Sequence, residues 1–190
     1  QQDIERSRQL QQASGLVRKC LPLLVNGIED SGNMEKFAET ILEETDWAGV
    51  IIANRSEIIA CRQKEAEKDF QIGEEIPEIG VRVIASGRME TMSQVPIASP
   101  WYEWMKEYSL IAAPFMIRDQ AAGCLIVWVK KQWVFRKSEL ELHQHLVDLS
   151  SYQLALFELE RQKDMRQKAE FKALQFQVNP HFLFNALNTV

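Results

Sequence analysis

The histidine that follows the last proline of the sequence is the side chain best suited to chemistry. Pro180 cannot donate a hydrogen bond to the carbonyl of Phe176, so a continuous helix bends there at a cost of about 3 kcal/mol. Alternatively, Asn179 caps a new helix that begins at this proline. In either arrangement His181 lies at a helix break, where solvent can reach the ring. Its neutral imidazole has a nitrogen lone pair that can attack a phosphoryl group, and Asn185, one helical turn on, could orient the ring. From residue type alone, a purely structural histidine is the commoner alternative.

The residues before this histidine have a long, uninterrupted helical pattern. Residues 138–178 contain neither proline nor glycine, and at about 1.5 Å per residue they predict a helix of roughly 60 Å. Its central part alternates acidic with basic residues, so few apolar side chains remain to form a seam. This narrow stripe predicts a parallel two-helix pairing, hence a homodimer, with a single solvated helix as the alternative. The apolar positions are Leu159, Met165, Ala169 and Phe171, and a 4-3 rhythm continues through Phe171, Leu174, Val178 and His181.

The sequence around the histidine resembles a known phosphoacceptor motif. The run from Gln177 to Asn188, Gln-Val-Asn-Pro-His-Phe-Leu-Phe-Asn-Ala-Leu-Asn, is similar to the histidine box of the LytS-type sensor histidine kinases, and residues 170–175 are similar to its lead-in. The resemblance implies that His181 is autophosphorylated and that the preceding helix is the dimerisation and signalling helix. It also implies a GAF sensory domain upstream, and a response regulator whose aspartate receives the phosphoryl group.

The family's membrane region and its ATP-binding kinase domain have no counterpart in this sequence. The longest apolar run, residues 121–129, is shorter than the roughly 18 to 20 residues that span a bilayer. The chain begins with Gln1 and ends inside a predicted helix, so we interpret it as the cytoplasmic piece of a longer protein. We expect no cofactor in this piece and no kinase activity from it alone. ATP and Mg²⁺ are expected for the full-length parent, which the resemblance implies to be anchored in the cell membrane.

Upstream of the long helix, hydrophobic patterns predict an α+β domain with a GAF-like antiparallel sheet and helices gathered on one face. The order is helix, two strands, helix, strand, long loop and two strands. Residues 21–50 and 112–127 also resemble GAF segments. The predicted elements include a helix over residues 34–45 capped by Asn33, a helix from Pro77 to Gly87, and hairpin strands over residues 110–117 and 121–130.

These patterns divide the chain into four parts. They are an N-terminal helix over residues 1–30, a GAF-like sensory domain over 31–137, the dimerisation and signalling helix over 138–178, and the start of the phosphoacceptor region over 179–190.

An aromatic loop between the third and fourth strands is the candidate ligand site. Tryptophan and tyrosine supply large apolar area with one polar group, as binding pockets need. We therefore predict that this loop closes a small-molecule pocket over the sheet. Alternatively, its rings plug the protein's own core, and the domain is a ligand-free dimerisation and relay module. The predicted lining residues are Trp101, Tyr102, Trp104, Ile79, Val83 and Phe115.

Composition argues against several other functions. The chain has 22 Lys and Arg against 27 Asp and Glu, a net charge of -5, so we predict no direct nucleic-acid binding. His143 and His145 are two residues apart on a helix, hence on different faces, and no metal site is predicted.

The widely spaced Cys20, Cys61 and Cys124 fit a reducing compartment. An alternative function, a cysteine-dependent GAF reductase, would need paired reactive thiols that this spacing does not provide.

Overall fold

The computed structural model describes residues 14–65, 70–94, 97–131 and 135–177, with side chains as far as residue 175. Contacts divide the chain into two compact units, Gln1–Ala155 and Leu156–Val190. The described elements are the helical segment α1 (residues 14–20), a 3-10 turn (Leu21–Leu24), α2 (Ser31–Glu44), β1 (Gly49–Ala53), β2 (Ile58–Gln63), α3 (Glu78–Ser86), β3 (Glu90–Met92), α4 (Tyr102–Met105), β4 (Tyr108–Ile117), β5 (Gln120–Lys130) and α5 (Lys137–Gln177).

A five-stranded antiparallel sheet forms the centre of the first unit, in the order β2-β1-β5-β4-β3. In β1, Ile51 is opposite Cys61 of β2 on one side and Ile126 of β5 on the other. The register of the β4–β5 hairpin shifts between Phe115 and Met116, which marks a β-bulge. The fold is therefore an antiparallel sheet with flanking helices, as the sequence predicted.

Helices cover both faces of this sheet, so the prediction that they gather on one face was wrong. Val50 and Ile52 of β1 belong to a core with α1, α2 and α5, whereas Ile51 and Ala53 belong to a second core with α3 and α4. Successive side chains of a strand point to opposite faces. All five residues of β1 are buried, and such a continuously apolar strand needs cover on both sides.

The helix ends follow their capping residues. Asp30, in an extended conformation, accepts a hydrogen bond from the Asn33 amide at 3.1 Å, so α2 begins at Ser31. The predicted Asn33 cap was therefore wrong, because an acceptor three residues earlier satisfies that amide first. The helix α3 begins after Pro77 as predicted. It ends at Gly87, whose φ of 68° is the left-handed conformation that glycine adopts without strain.

The long helix α5 confirms the uninterrupted helical pattern, with the predicted end at Val178 lying outside the described residues. Within the first unit it buries one side against the sheet, through His143, Leu146, Val147, Ser150 and Leu154. Within the second unit the apolar side chains are exposed, by 57% to 62% at Leu159, Met165, Phe171 and Leu174. Ion pairs within this helix join Arg161 to Glu158 and Arg166 to Glu170, each at 2.9 Å.

The segment between β3 and β4, predicted as an irregular loop, contains the short helix α4. The helical turn is formed by the hydrogen bond that the Met105 amide donates to the Trp101 carbonyl, at 2.9 Å. Trp104 and Met105 on this turn are buried, and their burial holds a helical turn that local sequence does not predict. Among the helices of the described part of the chain, none is long and apolar enough to span a lipid bilayer.

Candidate functional site

Five aromatic side chains pack together on the α3 and α4 face of the sheet. This aromatic cluster comprises Phe70, Trp101, Trp104, Tyr108 and Trp128, all buried. Phe70 stacks on Trp101 with ring centroids 5.5 Å apart and an interplanar angle of 17°. Trp104 meets Phe70 edge to face at 4.7 Å and Trp128 at 4.9 Å. Offset-stacked and edge-to-face pairs at these distances are the favourable aromatic geometries.

The sheet fixes the base of the aromatic cluster. Trp128 on β5 is paired with Gly49 on β1, and a Cβ atom at residue 49 would lie 1.9 Å from the indole ring. Only glycine therefore lets this ring lie across the neighbouring strand. Tyr108 begins β4, and its ring is 6.4 Å from that of Trp128.

The outer side of the aromatic cluster comes from two connecting segments. The helix α4 and the residue before it supply Trp104 and Trp101. Phe70 precedes a segment that pairs with the edge strand β2, where the Ile58 amide donates to the Glu74 carbonyl at 2.9 Å and the Ile58 carbonyl accepts from Gly73 at 2.8 Å. The ring of Phe70 therefore packs against tryptophans, and the backbone of the segment that follows it, at Gly73 and Glu74, is bonded to the strand edge.

The structure brings four of the predicted lining residues to this face. Trp101 and Trp104 belong to the cluster, and Ile79 and Val83 of α3 lie in the same core. Tyr102 is half-buried on α4.

Phe115 does not join them, because it lies in the core on the opposite face with α2 and α5. Its assignment to the same lining was wrong. In β4, Tyr108, Leu110 and Ala112 face the aromatic cluster, so the odd-numbered Phe115 points away from it.

Sequence reasoning missed Phe70, Tyr108 and Trp128. Trp128 lies within an apolar strand, where an aromatic residue is expected as ordinary core. Phe70 follows a charged stretch that reads as solvated loop. Their contribution depends on the register of the strands, which no local pattern specifies.

The core around the aromatic cluster has no buried charged residue among those described. Glu90 of β3 lies on the same face, is half-buried and forms an ion pair with Arg82 of α3. Burial raises the pKa of the Cys124 thiol to about 12, so this group stays protonated. The indole Nε1 of Trp104 is buried and has no hydrogen-bond acceptor among the described residues.

The opposite face joins the sheet to α5. His143 is fully buried, with its ring centroid 5.9 Å from that of Trp47. Burial lowers its pKa to about 4, an effect that the nearby backbone of Leu125 opposes without reaching good hydrogen-bond geometry. His145 is exposed, so the two histidines lie on different faces of α5 as predicted.

A second contact of α5 is made at the β-bulge. The Met116 amide donates to the Ser151 hydroxyl at 2.9 Å, and that hydroxyl donates to the Val147 carbonyl at 2.7 Å. His181 and Asn185, the predicted phosphoacceptor and its orienting residue, lie outside the described residues.

Solved structures with this architecture include GAF domains. The phycoerythrobilin-bound GAF domain of a cyanobacterial phytochrome matches with a TM-score of 0.63 and 15% identity, covering 80% of this chain and 99% of that one. The fRMsr of Staphylococcus aureus in complex with substrate matches with a TM-score of 0.56 and 14% identity, covering 75% of this chain and 95% of that one. At these identities the likeness establishes the fold alone, and the fold of this chain is GAF-like.

Sequence comparison extends the match to the whole chain. The histidine kinase family model matches residues 169–190. The sensor protein LytS of Staphylococcus haemolyticus is 29% identical over 195 aligned residues, which cover 100% of this chain and 32% of that protein. The chain therefore spans about a third of the length of the relatives it matches. Along its whole length the chain is similar to part of the LytS-type sensor histidine kinases, and this similarity supports an input and relay portion of such a sensor.

Proposed function

We propose that the GAF fold receives a signal and that α5 relays it to His181, which accepts a phosphoryl group from ATP. The histidine kinase match over residues 169–190 carries this proposal, because it contains His181 and begins within α5. The kinase domain that holds ATP and Mg²⁺ belongs to the parent protein, as does a membrane anchor. The phosphoryl group then passes to an aspartate of a response regulator.

The proposed chemistry needs a neutral imidazole. A ring nitrogen attacks the γ-phosphorus of ATP, so a nitrogen–phosphorus bond forms while the bond to the bridging oxygen of ADP breaks. A histidine with the unperturbed pKa of about 6.5 is largely neutral at cytosolic pH. His143 cannot substitute for His181, because full burial keeps it away from any nucleotide.

The test is phosphorylation of the parent protein with ATP and Mg²⁺. His181→Gln should abolish acid-labile, alkali-stable phosphate, because the glutamine side chain cannot form a phosphoimidazole. His145→Gln is the matched control, since it removes an exposed histidine from α5 and should leave phosphorylation unchanged. Retention of acid-labile phosphate by the His181→Gln protein would remove the assignment.

We further infer a parallel homodimer that pairs two copies of α5. Support comes from the exposed Leu159, Met165 and Phe171, which lie on a helix otherwise covered by charged side chains. A charged helix with a narrow apolar stripe gains stability chiefly by burying that stripe against a partner helix.

A ligand-free relay is the second candidate function for the GAF fold. It is favoured by the aromatic cluster, in which Trp101 and Trp104 contact other rings of the protein and are only 8% and 7% exposed. In that case movement would pass through the domain without a small molecule.

A further inference from the structure

Phe70 occupies a slot whose walls are the rings of three tryptophans. Its centroid lies 5.5 Å from that of Trp101, 4.7 Å from that of Trp104 and 5.9 Å from that of Trp128. One wall is parallel to the Phe70 ring and another is nearly perpendicular to it. Such a slot selects a flat aromatic group by shape, because stacked and edge-on contacts are made at the same time.

The slot contains one polar group that the described protein leaves unsatisfied. Trp104 Nε1 is buried, and none of residues 14–65, 70–94, 97–131 or 135–175 places an acceptor within hydrogen-bond distance of it. A buried N–H without an acceptor costs free energy, and buried indoles in folded proteins usually have a partner. The phenyl ring of Phe70 has no lone pair to offer this N–H.

The surroundings define which molecule could complete the slot. None of the buried residues described on this face is charged, and Arg82 of α3 is already paired with Glu90, so a phosphate or carboxylate in the slot would have no free counter-ion. An uncharged ring is therefore required, and the Trp104 N–H requires an acceptor at its edge. A ring nitrogen or a carbonyl oxygen meets this need.

We propose that this slot binds an uncharged, planar aromatic molecule with a hydrogen-bond acceptor, which takes the place of the Phe70 ring and accepts from Trp104 Nε1. Phe70 is then an internal occupant that the ligand displaces. Its displacement would disturb the backbone pairing of Gly73 and Glu74 with Ile58 at the edge of the sheet. This proposal deepens the sensory part of the proposed function, and its test measures binding independently of His181.

Quinoline and naphthalene provide the matched probes, because they have the same size and shape and only quinoline has a ring nitrogen acceptor. At neutral pH both are uncharged. The 190-residue chain should bind quinoline roughly three- to tenfold more tightly, the effect of one neutral hydrogen bond. Isothermal titration gives the affinities. In nitrogen-15 spectra, quinoline should move the Trp104 indole N–H signal downfield and naphthalene should not.

Three variants separate the hydrogen bond from the shape of the slot. Trp104→Phe keeps an aromatic wall without the N–H, and it should bind both probes with equal affinity. Phe70→Ala empties the slot and should bind both probes more tightly, as cavity-creating substitutions do for matching ligands. Trp47→Phe is the control, because Trp47 lies in the core on the opposite face and its substitution should leave the quinoline preference intact.

Equal binding of both probes by the unmodified chain would overturn the proposal, as would an undiminished quinoline preference in Trp104→Phe. Failure of both probes to bind the unmodified chain and Phe70→Ala would also overturn it, in favour of the ligand-free relay. If Phe70→Ala does not fold, the comparison of the unmodified chain with Trp104→Phe decides alone. A Trp104 N–H signal already shifted by an acceptor of the chain itself would contradict it too.

Discussion

His143 makes the stability of the first unit depend on pH. The pKa of its imidazole is about 4 in the folded protein and about 6.5 in an unfolded chain. Between these values the unfolded chain binds a proton that the folded protein excludes, so stability falls as pH decreases from about 6.5 to 4. The full effect is roughly 3 kcal/mol.

Urea unfolding at pH values across this window measures the effect. Because carboxylates titrate in the same range, the informative quantity is the difference between the unmodified protein and His143→Phe, which keeps an aromatic ring beside Trp47. The substitution His143→Phe should reduce the change in unfolding free energy across this pH window by roughly 3 kcal/mol. His145→Gln, at an exposed position, should not change it. A variant with the same pH dependence as the unmodified protein would show that His143 is not excluded from protonation.

Gly49 and Gly15 should respond oppositely to the same substitution. A methyl group at residue 49 would overlap the ring of Trp128, so Gly49→Ala should lower stability by about 1 to 3 kcal/mol and shift tryptophan fluorescence. At residue 15, in α1, nothing lies within 4 Å of the added carbon. Gly15→Ala should therefore raise stability by about 0.5 to 1 kcal/mol. Thermal or urea unfolding checks both, and a neutral Gly49→Ala would mean that Trp128 can move aside.

The sequence predicted which residues share a face of a helix, but it did not predict reliably which residues share a face of the sheet. The prediction that His143 and His145 lie on different faces of α5 was right, because the helical repeat alone sets the directions of side chains two residues apart. Phe115 was misassigned because β4 is apolar on both faces, so nothing in its pattern tells which parity meets α3. Phe70 was missed because three tryptophans from distant parts of the chain surround it, and that meeting is a product of tertiary packing.

At the scale of elements, Ser151 links α5 to the sheet. Its hydroxyl accepts from the Met116 amide at the β-bulge, where the register shift interrupts the ladder. Ser151→Ala should leave this amide without its partner and cost about 1 to 3 kcal/mol in the free energy of unfolding.

Ser150 is the matched control for this prediction. Its hydroxyl is also buried, but it has no hydrogen-bond partner among the residues described. Ser150→Ala should therefore be neutral or stabilising in the same urea titrations. Equal destabilisation by both substitutions would show that volume, rather than the bond to Met116, holds this part of α5.

Element boundaries were predicted well where local chemistry sets them. Pro77 and Gly87 bracket α3, and the absence of proline and glycine from residues 138–178 predicted α5. The turn α4 was not predicted, because it depends on burial of Trp104 in a core that the sheet must first create. The cap of α2 was misplaced because Asp30 and Asn33 are both good capping residues, and only the backbone conformation distinguishes them.

At the scale of the whole molecule, the apolar stripe of α5 predicts concentration-dependent association. Light scattering of the 190-residue chain should give a dimer, and Leu159→Lys should shift it toward the monomer by placing a charge in the seam. A monomer at high protein concentration, in low and in high salt, would contradict the pairing of helices.

The alternation of side chains along β5 couples the two faces of the sheet. Cys124, Ile126 and Trp128 belong to the core of the aromatic cluster, whereas Leu125 and Val127 belong to the core that includes α5. The residues of the two cores are therefore covalent neighbours in one strand. A rotation of a single peptide plane in β5 moves side chains on both faces of the sheet at once. A displacement on one face therefore reaches the other directly through the strand, without a chain of contacts around the edge of the sheet.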